Sequence, residues 1–220
     1  MMQPPALPRG AVFGPEFVTA QGRFGAGTAF AVFVPEVEAP VLLTCQHLFG
    51  PAGGLPGDIP ASSMGAFVQA VALCDKWDGA PIGVAGSAVT LPDADWSAPS
   101  CDLAAFRLAP QPGLSVLRFT EDAPKLLDPV FLAGRVRSGA PATQQLHGAR
   151  VVRDEDDDAQ WIELSNAEIG LPGTSGAPVL DPRGGVVGMV VRFTDNHVVR
   201  AQMITAARIR AMVAAVLARR

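Results

Sequence analysis

The sequence predicts an all-β protein closed by one C-terminal α-helix. Two observations carry the β reading. The 220 residues include 23 glycines and 20 prolines, and these cut most of the chain into short apolar runs of strand length with turn residues between them. None of the runs approaches the length needed to cross a bilayer, "PVLLTC" and "VVGMVV" being strand-sized. A third observation gives the helix. In "ITAARIRAMVAAVLARR" the period changes, with Ile209, Met212, Val213, Val216 and Leu217 recurring at helical spacing.

Taken in order, residues 1–10 ("MMQPPALPRG") read as a loose proline-bearing arm. Candidate strands follow at 28–34, 40–45, 67–74, 102–108 and 116–119, then at 129–134, 149–153, 161–165, 177–180, 185–193 and 198–203. Between the two sets lies "APQPGLS", Ala109 to Ser115, whose two prolines and glycine interrupt any regular element. The reading is therefore two β-rich halves, 11–110 and 116–203, with a helix over 204–220. Thr205 is the expected N-cap, and Arg219 and Arg220 suit the negative end of the helix dipole. The apolar stripe is expected to pack on the second half. The acidic run Asp154–Asp158 falls between two strands that would pair, and reads as a solvated hairpin tip, because it lacks the ligand spacing of a calcium loop.

Bulk composition narrows the function. The formal charge is −4 and 49% of residues are hydrophobic, which gives no basic footprint for nucleic acid. Neither a secretory signal nor a membrane span is visible, so no membrane partner and a cytoplasmic location are expected. Cys45, Cys74 and Cys101 form no CxxC pair, and His47, His147 and His197 are far apart in sequence. No metal site, no cofactor and no disulfide framework are expected.

The stretch "GLPGTSGAPVLD", Gly170 to Asp181, could be an ordinary glycine-rich turn. It gains meaning from two other segments. "VLLTCQHLF" puts His47 just after an apolar run, and "CDLAAFRL" puts Asp102 at the start of another. Nucleophilic serine chemistry needs a base to take the hydroxyl proton and an acid to hold that base in the right tautomer. His47, Asp102 and Ser175 at strand ends in three separate segments supply that set.

With these residues in view, the chain resembles the chymotrypsin-like (trypsin-fold) serine proteases, particularly the bacterial branch related to the high-temperature-requirement proteases. The resemblance runs from "GTAFAVFV" at Gly27 through "LLTCQH" and "DLAAFRL" to "GTSGAPVLDPRGGVVGMVV" and the terminal helix. Its most specific part is Gly173, Ser175, Gly176 and Pro178, which match Gly-x-Ser-Gly-x-Pro. It implies two six-stranded antiparallel β-barrels with a site between them, and a serine endopeptidase acting on a polypeptide substrate. Ser175 would be nucleophile, His47 general base and acid, Asp102 its orienting partner, and the N–H groups of Gly173 and Ser175 an oxyanion hole. Aligned on the serine block, Ile169 falls at the base of the substrate pocket and Val191 and Phe193 on its wall, implying a small or aliphatic residue before the scissile bond. A regulatory protein is a second candidate partner.

Two residues depart from the family pattern. Thr174 stands where secreted zymogens carry an aspartate, which removes the partner that a freshly cut N-terminus would need. Ala177 replaces the usual second glycine and is expected to tighten the turn. The competing readings are a catalytically inactive protease-fold module that binds peptides, and an α/β-hydrolase esterase. The latter needs the order Ser, acid, His, which the pair Asp195 and His197 is too loop-like to provide.

Overall fold

The computed structural model describes residues 3–156, 158–194 and 198–218. The first half carries β1 (Val12–Thr19), β2 (Gly22–Gly25), β3 (Ala29–Val34), β4 (Ala39–Thr44), the single helical turn α1 (Met64–Phe67), β5 (Ala70–Asp75), β6 (Pro81–Ala85), β7 (Ala88–Val89), β8 (Ala104–Arg107) and β9 (Leu117–Arg118). Its main path is β6-β5-β1-β3-β4-β8-β7, with β2 on β1 and β9 on β3. The two ends of that path are consecutive in the chain, separated only by Gly86 and Ser87. Gly86 N–H donates to Arg107 O (2.8 Å) and Arg107 N–H to Ser87 O (3.2 Å). The sheet therefore curls round on itself, which removes two exposed edges.

Its interior is aromatic. Phe13, Phe17, Phe49 and Phe106 are fully buried, and Phe17 meets Phe49 edge-on with centroids 4.6 Å apart, an arrangement worth about 1 kcal/mol beyond area burial. Strand β1 was hidden in the sequence by Gly14 and Pro15. The usable signal was alternation: Phe13, Pro15 and Phe17 all face inward. The run "FVQAVALC" begins later than its hydropathy suggests, because Val68 N–H closes a helical turn on Met64 O and the strand starts only at Ala70.

The second half carries β10 (Pro129–Ala133), β11 (Leu146–Asp156), β12 (Ala159–Leu164), β13 (Pro178–Leu180), β14 (Val186–Thr194) and β15 (Arg200–Thr205). These close into a six-stranded barrel in the order β10-β11-β12-β15-β14-β13, so the architecture is the expected pair of barrel-like halves. The acidic run turns between β11 and β12 as a hairpin, Asp156 opposite Ala159; Asp157 lies outside the described residues. Strand β14 carries an irregularity between Val190 and Arg192. The pleat turns Val190 into the barrel and Val191 toward the core shared by the two halves.

Helix α2 (Ala206–Leu217) starts where expected, with Thr205 Oγ1 accepting from Arg208 N–H; Arg219 and Arg220 lie outside the described residues. Its stripe does more than cover the second half. Ile209, Met212 and Val213 are buried in a cluster that contains Val32 and Val34 from β3 as well as Val186 and Met189 from β14. Arg210 pairs with Glu36 at the edge of that contact. Burying the three side chains contributes roughly 2 kcal/mol each, so the helix fastens both halves together.

One buried group makes stability depend on pH. His147 is fully buried on β11, with Nε2–H donating to Gly134 O (3.0 Å) and Nδ1 facing Gln144 Nε2 (3.3 Å). Burial pushes its pKa below the ordinary imidazole value, against a smaller upward pull from the Gly134 carbonyl. The folded state thus favours neutral imidazole, a contribution present above the unfolded pKa and lost as pH falls through the folded one. Thermal melts of His147→Gln should therefore lose less stability on acidification than the wild type; parallel curves would refute this.

Candidate active site

Strand β4 ends at Thr44, and the chain then turns through a 3₁₀ segment, Gln46–Phe49, that carries His47. A second 3₁₀ turn, Pro99–Cys101, delivers Asp102 just before β8. Because β4 pairs with β8, Thr44 opposite Ala104, the two turns lie side by side at one end of the first barrel. Asp102, 1% exposed, takes both donors of its neighbour: His47 N–H at 2.9 Å on Oδ1 and His47 Nδ1 at 2.5 Å on Oδ2. An ionised carboxylate only accepts, so this contact places the imidazole proton on Nδ1 and leaves Nε2 able to accept. His47 remains 18% exposed and faces a cleft of about 660 Å³.

The same cleft is lined by Ser175 and Gly173 of the turn before β13. That turn is held by hydrogen bonds within itself and to β14. Thr174 N–H and Oγ1 both donate to Leu171 O, Gly176 N–H donates to Val190 O, and Ala177 N–H to Thr174 O. Two amides are left over: among the described residues, Gly173 N–H and Ser175 N–H have no backbone acceptor. These are the two amides that the sequence nominated. A positive φ makes this spacing feasible, +90° at Gly173 and +84° at Gly176, a region costly for residues with a Cβ. The Ser175 hydroxyl makes no hydrogen bond among the described residues.

Threonines tie this turn to the first barrel. Thr28 N–H donates to Ser175 O (2.8 Å), Thr28 Oγ1 to Gly173 O (2.8 Å), and Thr44 Oγ1 to Thr28 O (2.7 Å). The extra methyl of Ala177 does not strain the turn, because Gly134 lies opposite it: a Cβ there would stand 3.3 Å from Ala177 Cβ. Thr174, in place of a buried acid, is fully buried and satisfied by its own turn.

The three residues assigned to a substrate pocket separate. Val191 and Phe193 line the cleft, Phe193 being 37% exposed. Ile169 is 4% exposed, packs in the interior of the second barrel and is absent from the cleft wall. Trp96, Arg192, Pro172 and Leu48 also line the cleft and were not legible in the sequence. Arg192 Nη2 donates to Ser97 O (2.6 Å), joining β14 to the loop that carries Trp96.

Cys45 Sγ, His47 and Asp102 present their ligand atoms within 4.8 Å of one another. The thiol is fully buried and donates to Val190 O (3.2 Å). Burial, reinforced by the adjacent Asp102 charge, pushes its pKa well above the usual range, so Cys45 is a protonated thiol buried behind the pair and a poor ligand. A second hollow, of about 440 Å³, lies between residues 120–126 and α2 and contains no histidine.

Residues 27–189 match the trypsin-like peptidase domain. The chain belongs to that family. The peptidase therefore belongs among protease hydrolases, whose substrates are polypeptides. No curated protein matches it by sequence. Its fold is similar to that of the thermostable serine protease AL20 from an extremophilic microorganism, at 15% identity and TM-score 0.62, covering 96% of this chain and 98% of the other. It is similar also to the active form of the Rv3671c protease of M. tuberculosis, at 17% identity and TM-score 0.59, covering 94% and 81%. The serine endoprotease from Yersinia pestis aligns at 12% identity and TM-score 0.59, covering 96% and 64%. At these identities the comparison speaks for the fold. No described helix is long and apolar enough to cross a membrane.

Proposed function

We propose that the peptidase is a serine endopeptidase working through an acyl-enzyme. His47 Nε2 takes the Ser175 hydroxyl proton as Oγ attacks the peptide carbonyl. Asp102 keeps the Nδ1 proton in place and stabilises the imidazolium that forms. The carbonyl oxygen, now carrying charge, is received by the N–H groups of Gly173 and Ser175, each donor of this type being worth about 3 kcal/mol in the transition state. His47 then protonates the leaving amine, and water repeats the sequence on the acyl-enzyme to release Ser175.

The observation that carries this reading is the doubly bonded His47–Asp102 pair facing the cleft that Ser175 lines. Val191 and Phe193 give that cleft an apolar wall, which suits a small or aliphatic residue before the scissile bond. One observation favours the second reading, a peptide-binding module without turnover: Ser175 and His47 make no hydrogen bond with each other. Apo sites often show this looseness and tighten on binding.

A fluorophosphonate probe distinguishes the two. It should label the purified protein and should not label Ser175→Ala. Equal labelling of both proteins would reject Ser175 as nucleophile, and labelling of neither would favour the binding module.

A further inference from the structure

Lys76 stands at the end of β5, where its N–H is fixed to Val12 O on β1 (3.3 Å). From this base in the first barrel its half-buried side chain reaches across to the second. The ammonium donates to Gly27 O (2.5 Å) and to Gly173 O (3.4 Å). Gly173 O belongs to the peptide that joins Gly173 to Thr174. The other end of that peptide, Thr174 N–H, is tied to Leu171 O (3.0 Å), and Thr28 Oγ1 shares the carbonyl with Lys76. The peptide plane is thus held at both ends. On its far side is the Gly173 N–H, which has no backbone partner. A Cβ at Gly173 would meet nothing within 4 Å, so neither a side chain nor crowding restrains rotation there; restraint comes from the adjacent peptide.

The electrostatics of Lys76 are unfavourable for a group retained only for stability. No carboxylate lies within ion-pair distance of it among the described residues. The acids of its own turn are engaged elsewhere, Asp75 capping the Trp77 and Asp78 amides and Asp78 pairing with Arg9. On β1, Glu16 pairs with Arg23. The charge that does act on Lys76 is another cation, Arg135, on the segment after β10. Burial first, and Arg135 second, lower its pKa from 10.5 to about 8.

We propose that Lys76 is the positioning residue of the oxyanion loop, its ammonium bridging Gly27 O and Gly173 O so that the Gly173 N–H stays presented to the cleft. The role rests on Ser175 being the nucleophile. It makes two predictions that separate it from a structural role. A folded-state pKa below the unfolded one means that the charged lysine costs stability at neutral pH, a cost relieved only as pH rises past about 8. Removing it should therefore not lower the melting temperature. Losing the charge should nonetheless slow acylation, since a neutral amine grips carbonyls less strongly.

The experiment measures fluorophosphonate labelling rate against pH, together with thermal melts, for the full chain and its Lys76→Met and Lys76→Arg variants, with Ser175→Ala as blank. Wild-type labelling should fall as pH rises through about 8. Lys76→Met should label about tenfold more slowly at neutral pH, without that fall and with an unchanged or higher melting temperature. Lys76→Arg, which keeps its charge, should restore labelling and move the alkaline limb upward. If the wild type is labelled and Lys76→Met matches it in rate and profile, the role of Lys76 is wrong and the endopeptidase reading stands. Slow labelling that tracks a lowered melting temperature and is not restored by arginine also overturns it. If the wild type is not labelled, both fail together.

Discussion

Replacing Asp102 by asparagine is expected to lower kcat for peptide hydrolysis about 10⁴-fold while the protein stays folded. Asparagine can keep its Oδ1 on the His47 main-chain N–H, which is now 2.9 Å from the carboxylate. Its amide nitrogen must then face His47 Nδ1. Two donors cannot share that contact, so the imidazole proton moves to Nε2, the atom that accepts from Ser175 in the proposed mechanism. The variant therefore loses the base and retains the packing. Asp102→Ala separates the two effects: it strands the buried His47 N–H and should cost a further 1–3 kcal/mol, approximately, in stability. The measurement is kcat on a cleavable peptide beside a thermal melt for each variant. A loss below tenfold for Asp102→Asn, with the fold intact, would mean that His47 is not the base.

The features that were legible share a cause. His47, Asp102 and Ser175 each sit within a few residues of a strongly apolar strand, so strand signals and side-chain chemistry locate them together. The eleven expected strands are all present, because each is an apolar run bounded by turn residues. Illegible features depend on contacts that the sequence does not number. Ile169 was placed by counting back from Ser175, but Asn166 bends this segment: its side chain accepts from Glu168 N–H (2.9 Å) and donates to Gly139 O (2.8 Å), and Ile169 is carried into the barrel interior. Lys76 lies in "CDKWDG", which reads as a polar turn. Only the approach of the two barrels brings it to Gly173. Thr28 was visible as a strand start, yet its bonds to Gly173 and Ser175 cross the same divide. Residues marked by an adjacent strand signal could be read; contacts made only when the two barrels meet could not.

That divide is also where the most damaging small substitution is expected. Gly176→Ala should cost about 3 kcal/mol or more, from about 1–2 for a left-handed residue with a Cβ and about 1–3 for overpacking. The conformational part comes from φ +84°. The packing part is specific to this seam: the new methyl would stand 2.0 Å from Thr28 O and 2.6 Å from Thr44 Oγ1. Neither group can withdraw cheaply. They are hydrogen-bonded to each other at 2.7 Å, Thr28 N–H holds Ser175 O, and Gly176 N–H is fixed to Val190 O on β14. To admit the methyl, the Ser175 turn must move away from the first barrel, taking the Gly173 and Ser175 amides with it. Stability and acylation should thus fall together, the melting temperature by roughly 6–12 °C and probe labelling by more than about tenfold. Gly79→Ala is the control, with φ +73° and nothing within 4 Å of its Cβ; it should lose only the conformational part and keep full labelling. Equal effects at the two glycines would show that the seam between Thr28 and Gly176 does not hold the serine turn in place.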